Sequence, residues 1–340
     1  AVASDFAADD RTFVPDWSLM WVHSVWNLYR YTGDREVVAE LLPVAERTLR
    51  WFESFLGDDG LLRNVTGWVL IDWASFYSRG CSSTLNAVWA RALEDFAEMS
   101  EWLGNAGSAA WARARRDGVR DGFESFWDDD RGVYLDHIVD DVPQRAAAQH
   151  PGAAALWAGL VPEARIDRVV SGITDRSRLV RHSFVMDPVT PTGGSTGYGY
   201  MLTGYPAPEW DVETQMVEAE PFFRFVVHAG LARAGRADLI ADACRDWQVF
   251  LDVGETTWPE CWTGGTRCHG WSSTPSADLV RFVLGITPAE PGYDEVRVVP
   301  NLGDLEWARA TVPTPHGPIT VEARADGTVT IDSPVPVRRD

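Results

Sequence analysis

The chain has 340 residues, 45% hydrophobic and 11% aromatic, enough apolar material for one large core or two ordinary ones, which excludes a disordered chain. Its 50 acidic against 30 basic residues leave a formal net charge of -20, which repels phosphate backbones and anionic lipid and argues against nucleic-acid or membrane-surface binding. A neutral or cationic ligand fits better, and 17 tryptophans among many acids suit a carbohydrate, whose C–H faces stack on indole while its hydroxyls need carboxylates.

The start, Ala1-Val2-Ala3-Ser4-Asp5-Phe6, has no basic region leading into an apolar run, and no stretch approaches the roughly 20 apolar residues of a membrane span. A soluble chain is expected, with a cytoplasmic location favoured over export. A first helix is predicted from the spacing of Leu19, Val22, Trp26 and Tyr29, ended by Gly33 as a C-terminal cap. Asp34 can cap a second, whose stripe of Val38, Leu41, Leu42, Ala45, Leu49 and Phe52 reaches about Leu56 before Gly57-Asp58-Asp59-Gly60 stops it. The design returns at Trp102-Leu103-Gly104-Asn105, and again at Ala234-Gly235-Arg236-Ala237-Asp238 ahead of another amphipathic helix.

Between these hairpins lie longer segments crowded with Gly, Pro, aromatics and acids, at 60–80, 128–145, 184–215 and 252–272. Short turns on one side and long, chemically loaded loops on the other describe a toroid of αα-hairpins with its site at the long-loop end. After Gly285 the period changes to alternation over 295–299, 305–312, 318–323 and 328–331, which predicts short β-strands. The expected organisation is an (α/α) barrel over 1–287 and a small antiparallel β-domain over 288–340.

The loop Val253-Gly254-Glu255-Thr256-Thr257-Trp258-Pro259-Glu260-Cys261-Trp262, followed by Arg267-Cys268-His269-Gly270-Trp271-Ser272, has the mixture a sugar site needs. Glu260 between Trp258 and Trp262 can be held in partly apolar surroundings that tune a carboxyl and position a water. Composition alone leaves it open to being a surface glutamate, and His269 to being a loop histidine bonded to backbone. Trp68, Asp72 and Trp73 repeat the pairing of indole and acid, as do Asp16, Trp17 and Trp21 at the first helix. Tyr198, Tyr200, Tyr205, Glu209, Trp210, Asp211 and Glu213 offer another wall, and Gly193-Gly194-Ser195-Thr196-Gly197 reads as a loop bend.

No GxSxG, no GxxxxGK(S/T) and no HxxxH or EF-hand spacing occurs, so serine-hydrolase, nucleotide, cofactor and metal readings lack support. Cys81, Cys244, Cys261 and Cys268 show no CxxC pair, and the spacing of the last two leaves a bridge open.

Three stretches carry a resemblance to glycoside hydrolase family 78, the α-L-rhamnosidases. They are Val14-Pro15-Asp16-Trp17-Ser18-Leu19-Met20-Trp21 with Trp26-Asn27-Leu28-Tyr29-Arg30-Tyr31-Thr32-Gly33-Asp34, then Gly254 to Trp262 with Cys268-His269-Gly270-Trp271-Ser272, and finally Leu284-Gly285-Ile286-Thr287-Pro288 through Leu305-Glu306-Trp307-Ala308-Arg309 to Pro318. The resemblance implies a six-hairpin (α/α)6 barrel that hydrolyses terminal α-L-rhamnosides with inversion. It implies Glu260 as the general base and His269 as a sugar contact. Asp72 and Trp73 fall on the family's Gly-Asp-Trp, where the indole lines the rhamnose subsite, and Trp17 falls on another aromatic of that pocket. Trp258 and Trp262, flanking the base, complete the expected substrate-binding set, while Pro259 and Cys261 depart from the usual neighbours of the base.

The family's general acid belongs to a segment upstream of Asp16-Trp17 that the resemblance does not find here. Inversion needs two carboxyls about 6.5–9.5 Å apart. The expected explanations are a barrel incomplete at its N-terminus, completed by a missing segment or a second chain, an acid recruited from Asp72 or Asp16, or a protein that only binds sugar. Roughly nine or ten helices can be traced, against about twelve for a closed six-hairpin barrel, which favours the first. The alternatives to a rhamnosidase are a non-catalytic carbohydrate-binding or assembly subunit and an (α/α)6 hydrolase for another sugar.

Overall fold

The computed structural model describes residues 2–3, 13–183 and 207–340. Tyr198, Tyr200, Tyr205 and the bend at 193–197 lie outside them.

Helix α1 (Pro15–Thr32) begins with Pro at its first position and ends at Gly33, whose left-handed φ of 64° lets its N–H return to the Tyr29 carbonyl. Asp34 then caps α2 (Arg35–Trp51) by accepting from the Val37 amide, and Val38, Leu42, Ala45 and Leu49 form the buried stripe. Past Trp51 the predicted helix tightens into a 3₁₀ turn, Phe52–Phe55. The next hairpin pairs α3 (Ser83–Trp102) with α4 (Ala106–Gly122), each capped by a side chain, Ser82 and Asn105.

Burial separates the helices into two rings. Fifteen of the twenty residues of α3 and all ten of α5 (Gln149–Ala158) are buried, as a helix enclosed on every side requires. By contrast α4 buries Ala109, Ala112 and Val119, and α6 (Ile166–Thr174) chiefly Val169, Val170 and Ile173, the one-sided stripe of an outer helix. The inner helices are neighbours in order, α1 on α3, α3 on α5, and α5 on α7 (Arg224–Arg233). The last approach is close because α5 runs Gly152-Ala153-Ala154-Ala155 opposite Gly230, where an added Cβ would stand 2.6 Å from the Ala153 carbonyl oxygen. A partly buried pair of His23 with Asp95 (2.7 Å) and a buried pair of His228 with Asp278 (2.8 Å) cross between inner elements.

After α7 the predicted amphipathic helix is broken into short turns, 237–239, 240–243, 244–247 and 248–252. Tertiary contact overrides local propensity there: Trp247 is drawn inward, and its indole donates to the Ser272 carbonyl at 2.8 Å.

The C-terminal part forms two small sheets around their own core of Ile286, Tyr293, Val296, Val298, Ile319 and Val321. Strand β1 (Ile286–Pro288) pairs antiparallel with β2 (Val296–Val298), and β3 (Trp307–Val312), β4 (Ile319–Arg324) and β5 (Val329–Asp332) make an antiparallel meander. The expected antiparallel arrangement has one exception, β6 (Val337–Arg338), which returns parallel to β2. This unit is fixed to the hairpin side of the barrel, where Gly33 and Gly292, both at positive φ, approach so closely that a Cβ on the first would lie 3.1 Å from the second.

Candidate active site

The long loops at the N-terminal end of α1 and α5 are held by buried carboxylates that accept from backbone amides. Asp16, in the first turn of α1, accepts from Leu70 (3.1 Å) and Ile71 (3.0 Å). That grip holds Ile71 at φ 55°, an outlier for a β-branched residue and the kind of local strain found at functional sites. Asp72 follows at once, its carboxylate accepting from its neighbour Trp73 (2.8 Å), from Glu220 N–H (2.9 Å) and from His150 Nε2 (2.7 Å). Asp136 likewise accepts from Ala148 at 2.7 Å. Burial pushes the Asp16 and Asp136 carboxyls up to about 7 in spite of these amides.

The strained turn delivers Trp73. Its indole N–H donates to Glu260 Oε1 at 2.6 Å, and its carbonyl accepts from Ser183 Oγ at 2.7 Å. The other carboxylate oxygen, Oε2, accepts from the Thr266 amide (3.2 Å) and hydroxyl (2.8 Å). Three donors therefore fix both oxygens of Glu260. A carboxylate has about four lone-pair sites, so one remains for an outside proton, such as that of a water.

His269 joins the same cluster, its Nδ1 lying 3.2 Å from Thr266 Oγ1 and 3.9 Å from Glu260 Oε1. The Thr266 proton is committed to Glu260, so His269 donates from Nδ1 and carries its lone pair on Nε2. That Nε2 is a buried atom with no partner among the described residues, and so is the indole nitrogen of Trp17.

Aromatic rings close the circuit. Trp17 meets Trp271 edge-on at 5.4 Å, Trp271 stacks on Phe222 at 4.5 Å, and both Trp271 and Phe222 lie within 6.3 Å of the His269 ring. Trp17 and Trp73 share an apolar floor of Val14, Trp68 and Leu70. The circuit is partly open to solvent, with the side chains of Glu260 15% and His269 25% exposed. A fixed, partly exposed carboxylate beside a histidine and indole faces can bind a sugar ring and draw a proton from water.

The structure brings Glu260, Trp73, His269 and Trp17 into one cluster. Some expectations need correction. Asp72 is buried and committed to internal partners, so it presents no oxygen to the cleft, and Asp16 is in the same position. Neither is placed to protonate a leaving oxygen. Trp262 is a core residue, stacked on Phe250 at 5.5 Å, with its indole donating to the Ala219 carbonyl. Trp258 is half-buried against the same Phe250 and contributes its carbonyl to the His269 amide. In the loop before 215, Glu209 and Trp210 face His182, whereas Asp211 caps its own turn and Glu213 pairs with Arg145.

Sequence reasoning passed over Thr266, Phe222 and Glu220. Thr266 follows Glu260 by six residues in a Gly-rich turn, and the Glu260 amide donating to the Thr266 carbonyl makes that turn. Glu220 is buried, and its Oε2 accepts from the Trp262 amide at 2.7 Å. Burial, with the Asp72 carboxylate beside it, pushes its carboxyl up to about 8. All four cysteines are free, Cys261 buried and Cys268 exposed. No described helix is long and apolar enough to cross a membrane.

Paired helical rings with a carboxylate and indoles at the long-loop end define a six-hairpin glycosidase domain. Residues 5–183, more than half of the chain, match the bacterial alpha-L-rhamnosidase 6 hairpin glycosidase domain, and the chain belongs to that family. Residues 285–338 match the bacterial alpha-L-rhamnosidase C-terminal domain. An alpha-L-rhamnosidase of Streptomyces avermitilis is 24% identical over 90% of this chain and 27% of its own length, and one of Formosa agariphila 23% identical over 89% and 30%. The chain thus spans less than a third of either. A GH78 rhamnosidase of Bacillus sp. GL1 has the same fold, with a TM-score of 0.73 at 23% identity, over 97% of this chain and 33% of that one.

Proposed function

We propose that this chain carries the water-activating side of an α-L-rhamnosidase active site, with the barrel over 1–287 and the β-domain over 288–340. Glu260 acts as general base, taking a proton from a water that attacks the anomeric carbon of a terminal α-L-rhamnoside from the face opposite the leaving oxygen. A second carboxyl protonates that oxygen, and the configuration inverts. Trp73 and Thr266 orient the base, His269 stands beside it as a sugar contact, and Trp17 with Trp271 supplies the apolar wall. The observation that carries this reading is the triply held, partly exposed carboxylate of Glu260 bonded to an indole. The relatives named above agree in the substrate class.

The test is hydrolysis of an aryl α-L-rhamnoside by the wild-type protein and by Glu260→Gln, with the anomer first released read by proton NMR. The expected loss in kcat on substitution is about 10²–10⁴. Full activity in Glu260→Gln removes the base assignment. Rhamnose binding with no rhamnoside cleaved even by a full-length protein that supplies the second carboxyl removes the hydrolase reading and leaves a carbohydrate-binding protein.

A further inference from the structure

Glu260 is gripped by the Trp73 indole, and both the turn that carries Trp73 and the backbone two residues beyond Glu260 are bonded to one buried residue, Glu220, the first through its backbone amide and the second through its side chain. The Glu220 amide donates to Asp72 Oδ2 at 2.9 Å, and Asp72 Oδ1 in turn accepts from the Trp73 amide at 2.8 Å. From Trp73 the indole reaches Glu260 at 2.6 Å. On the other side Glu220 Oε2 accepts from the amide of Trp262, two residues beyond Glu260, at 2.7 Å. The bonds form a closed loop in which Glu220 is joined to both the 72–73 turn and the 260–262 segment.

We propose that Glu220 is a positioning residue for Glu260, fixing the separation between the Trp73 indole and the 260–262 backbone from behind the site. It touches no substrate, being only 2% exposed. Its surroundings say when the clamp holds. Asp72 and Glu218 face it as like charges, Arg181 as an opposing one, and the Cys261 thiol lies against it. Asp72 is shared with His150, and Glu218 is occupied by Arg181 and Arg224. As a neutral acid Glu220 sits beside Asp72 without repulsion. Ionised, near pH 8, it places a second negative charge against Asp72, and the two loops are driven apart.

Glutamine keeps a carbonyl oxygen for the Trp262 amide and cannot ionise, whereas alanine keeps the backbone bond to Asp72 and removes the side-chain bond that ties the 260–262 segment to it. The activity readout rests on the rhamnosidase reading, so a second readout independent of it is needed: the Trp73 indole N–H resonance in protein labelled with ¹⁵N-tryptophan, identified by its loss in Trp73→Phe. In Glu220→Ala this resonance moves and kcat falls by about tenfold or more, with KM changed less. In Glu220→Gln the resonance stays near its wild-type position at pH 7, most activity is retained, and the decline of kcat above about pH 8 is abolished. A Trp73 resonance unmoved in Glu220→Ala overturns the proposal, as does an alkaline decline unchanged in Glu220→Gln. If Glu220→Ala does not fold, a titration of the Trp73 resonance through pH 8 decides, since it must move in the wild type and hold in Glu220→Gln. A resonance that responds in a protein without rhamnosidase activity supports the clamp and counts only against the assigned reaction.

Discussion

Trp73 and Glu260 are 187 residues apart in the chain, and the indole N–H of the first donates to the carboxylate of the second over 2.6 Å. A hydrogen bond to a charged acceptor is among the stronger kinds in proteins, and here it orients one oxygen while Thr266 orients the other. Replacing Trp73 with Phe keeps a ring on the floor formed by Val14, Trp68 and Leu70 and removes only the donor. The expected outcome is a fall in kcat of about tenfold or more, from the loss of about 1.5–3 kcal/mol of orienting interaction, with KM less affected. Steady-state kinetics on an aryl rhamnoside checks it, and an unchanged kcat removes the orienting role.

Asp16 is expected to matter for stability more than for chemistry. Its carboxylate satisfies the buried amides of Leu70 and Ile71, and Ile71 is held at φ 55°. Asp16→Ala leaves both donors unpaired and releases the strained turn, at a cost of about 2–4 kcal/mol. Urea denaturation measures this, and a loss under about 0.5 kcal/mol contradicts it.

The pH dependence of stability follows from three buried acids. Asp16 and Asp136 are pushed up to about 7 and Glu220 to about 8 by burial, whereas their unfolded values are near 4. Between those limits the folded state keeps protons that the unfolded state has released, so stability falls as pH rises and levels off above about 8. His23 and His137, held low by burial, act in the opposite sense only below about 6.5. From pH 6.5 to 8 the decline is therefore expected alone, on the order of 2 kcal/mol. Tm measured across that interval should drop, and a flat or rising Tm argues against the buried acids being neutral.

Gly230 offers a test of the inner ring. In an exposed helix Gly→Ala gains about 1 kcal/mol of propensity. At Gly230 a Cβ meets the Ala153 carbonyl oxygen at 2.6 Å, a backbone atom of a helix buried on all sides. Gly230→Ala is thus expected to reverse sign and destabilise by about 1–3 kcal/mol in chemical denaturation.

Much of the frame was legible in the chain itself. Gly33 and Asp34 mark the first hairpin by chemistry that acts over a few residues, and caps, turns and stripes of this kind act within reach of their own neighbours. The alternation after Gly285 shows β4 in the same way, with Ile319, Val321 and Ala323 facing inward. The pairing of β6 with β2 is non-local and leaves no such mark.

The site divides along the same line. The 254–271 loop and the 68–73 loop stand out by their mixture of indoles and acids, and only resemblance implies the roles proposed for Glu260, Trp73, His269 and Trp17. Which acids face the cleft is a matter of tertiary packing. Asp72 and Glu260 look alike in sequence, each beside tryptophans, yet one is buried accepting from Trp73, Glu220 and His150 while the other keeps a side exposed to solvent. Trp262 and Trp271 diverge in the same way, one in the core and one 44% exposed at the cleft. The sequence by itself determined the hairpins and the change to strands, because these follow from local periodicity. Only the tertiary structure decided that Trp73 and Thr266 hold Glu260, and that Glu220 ties both loops together from behind. Those bonds join segments whose separation along the chain carries no local signal.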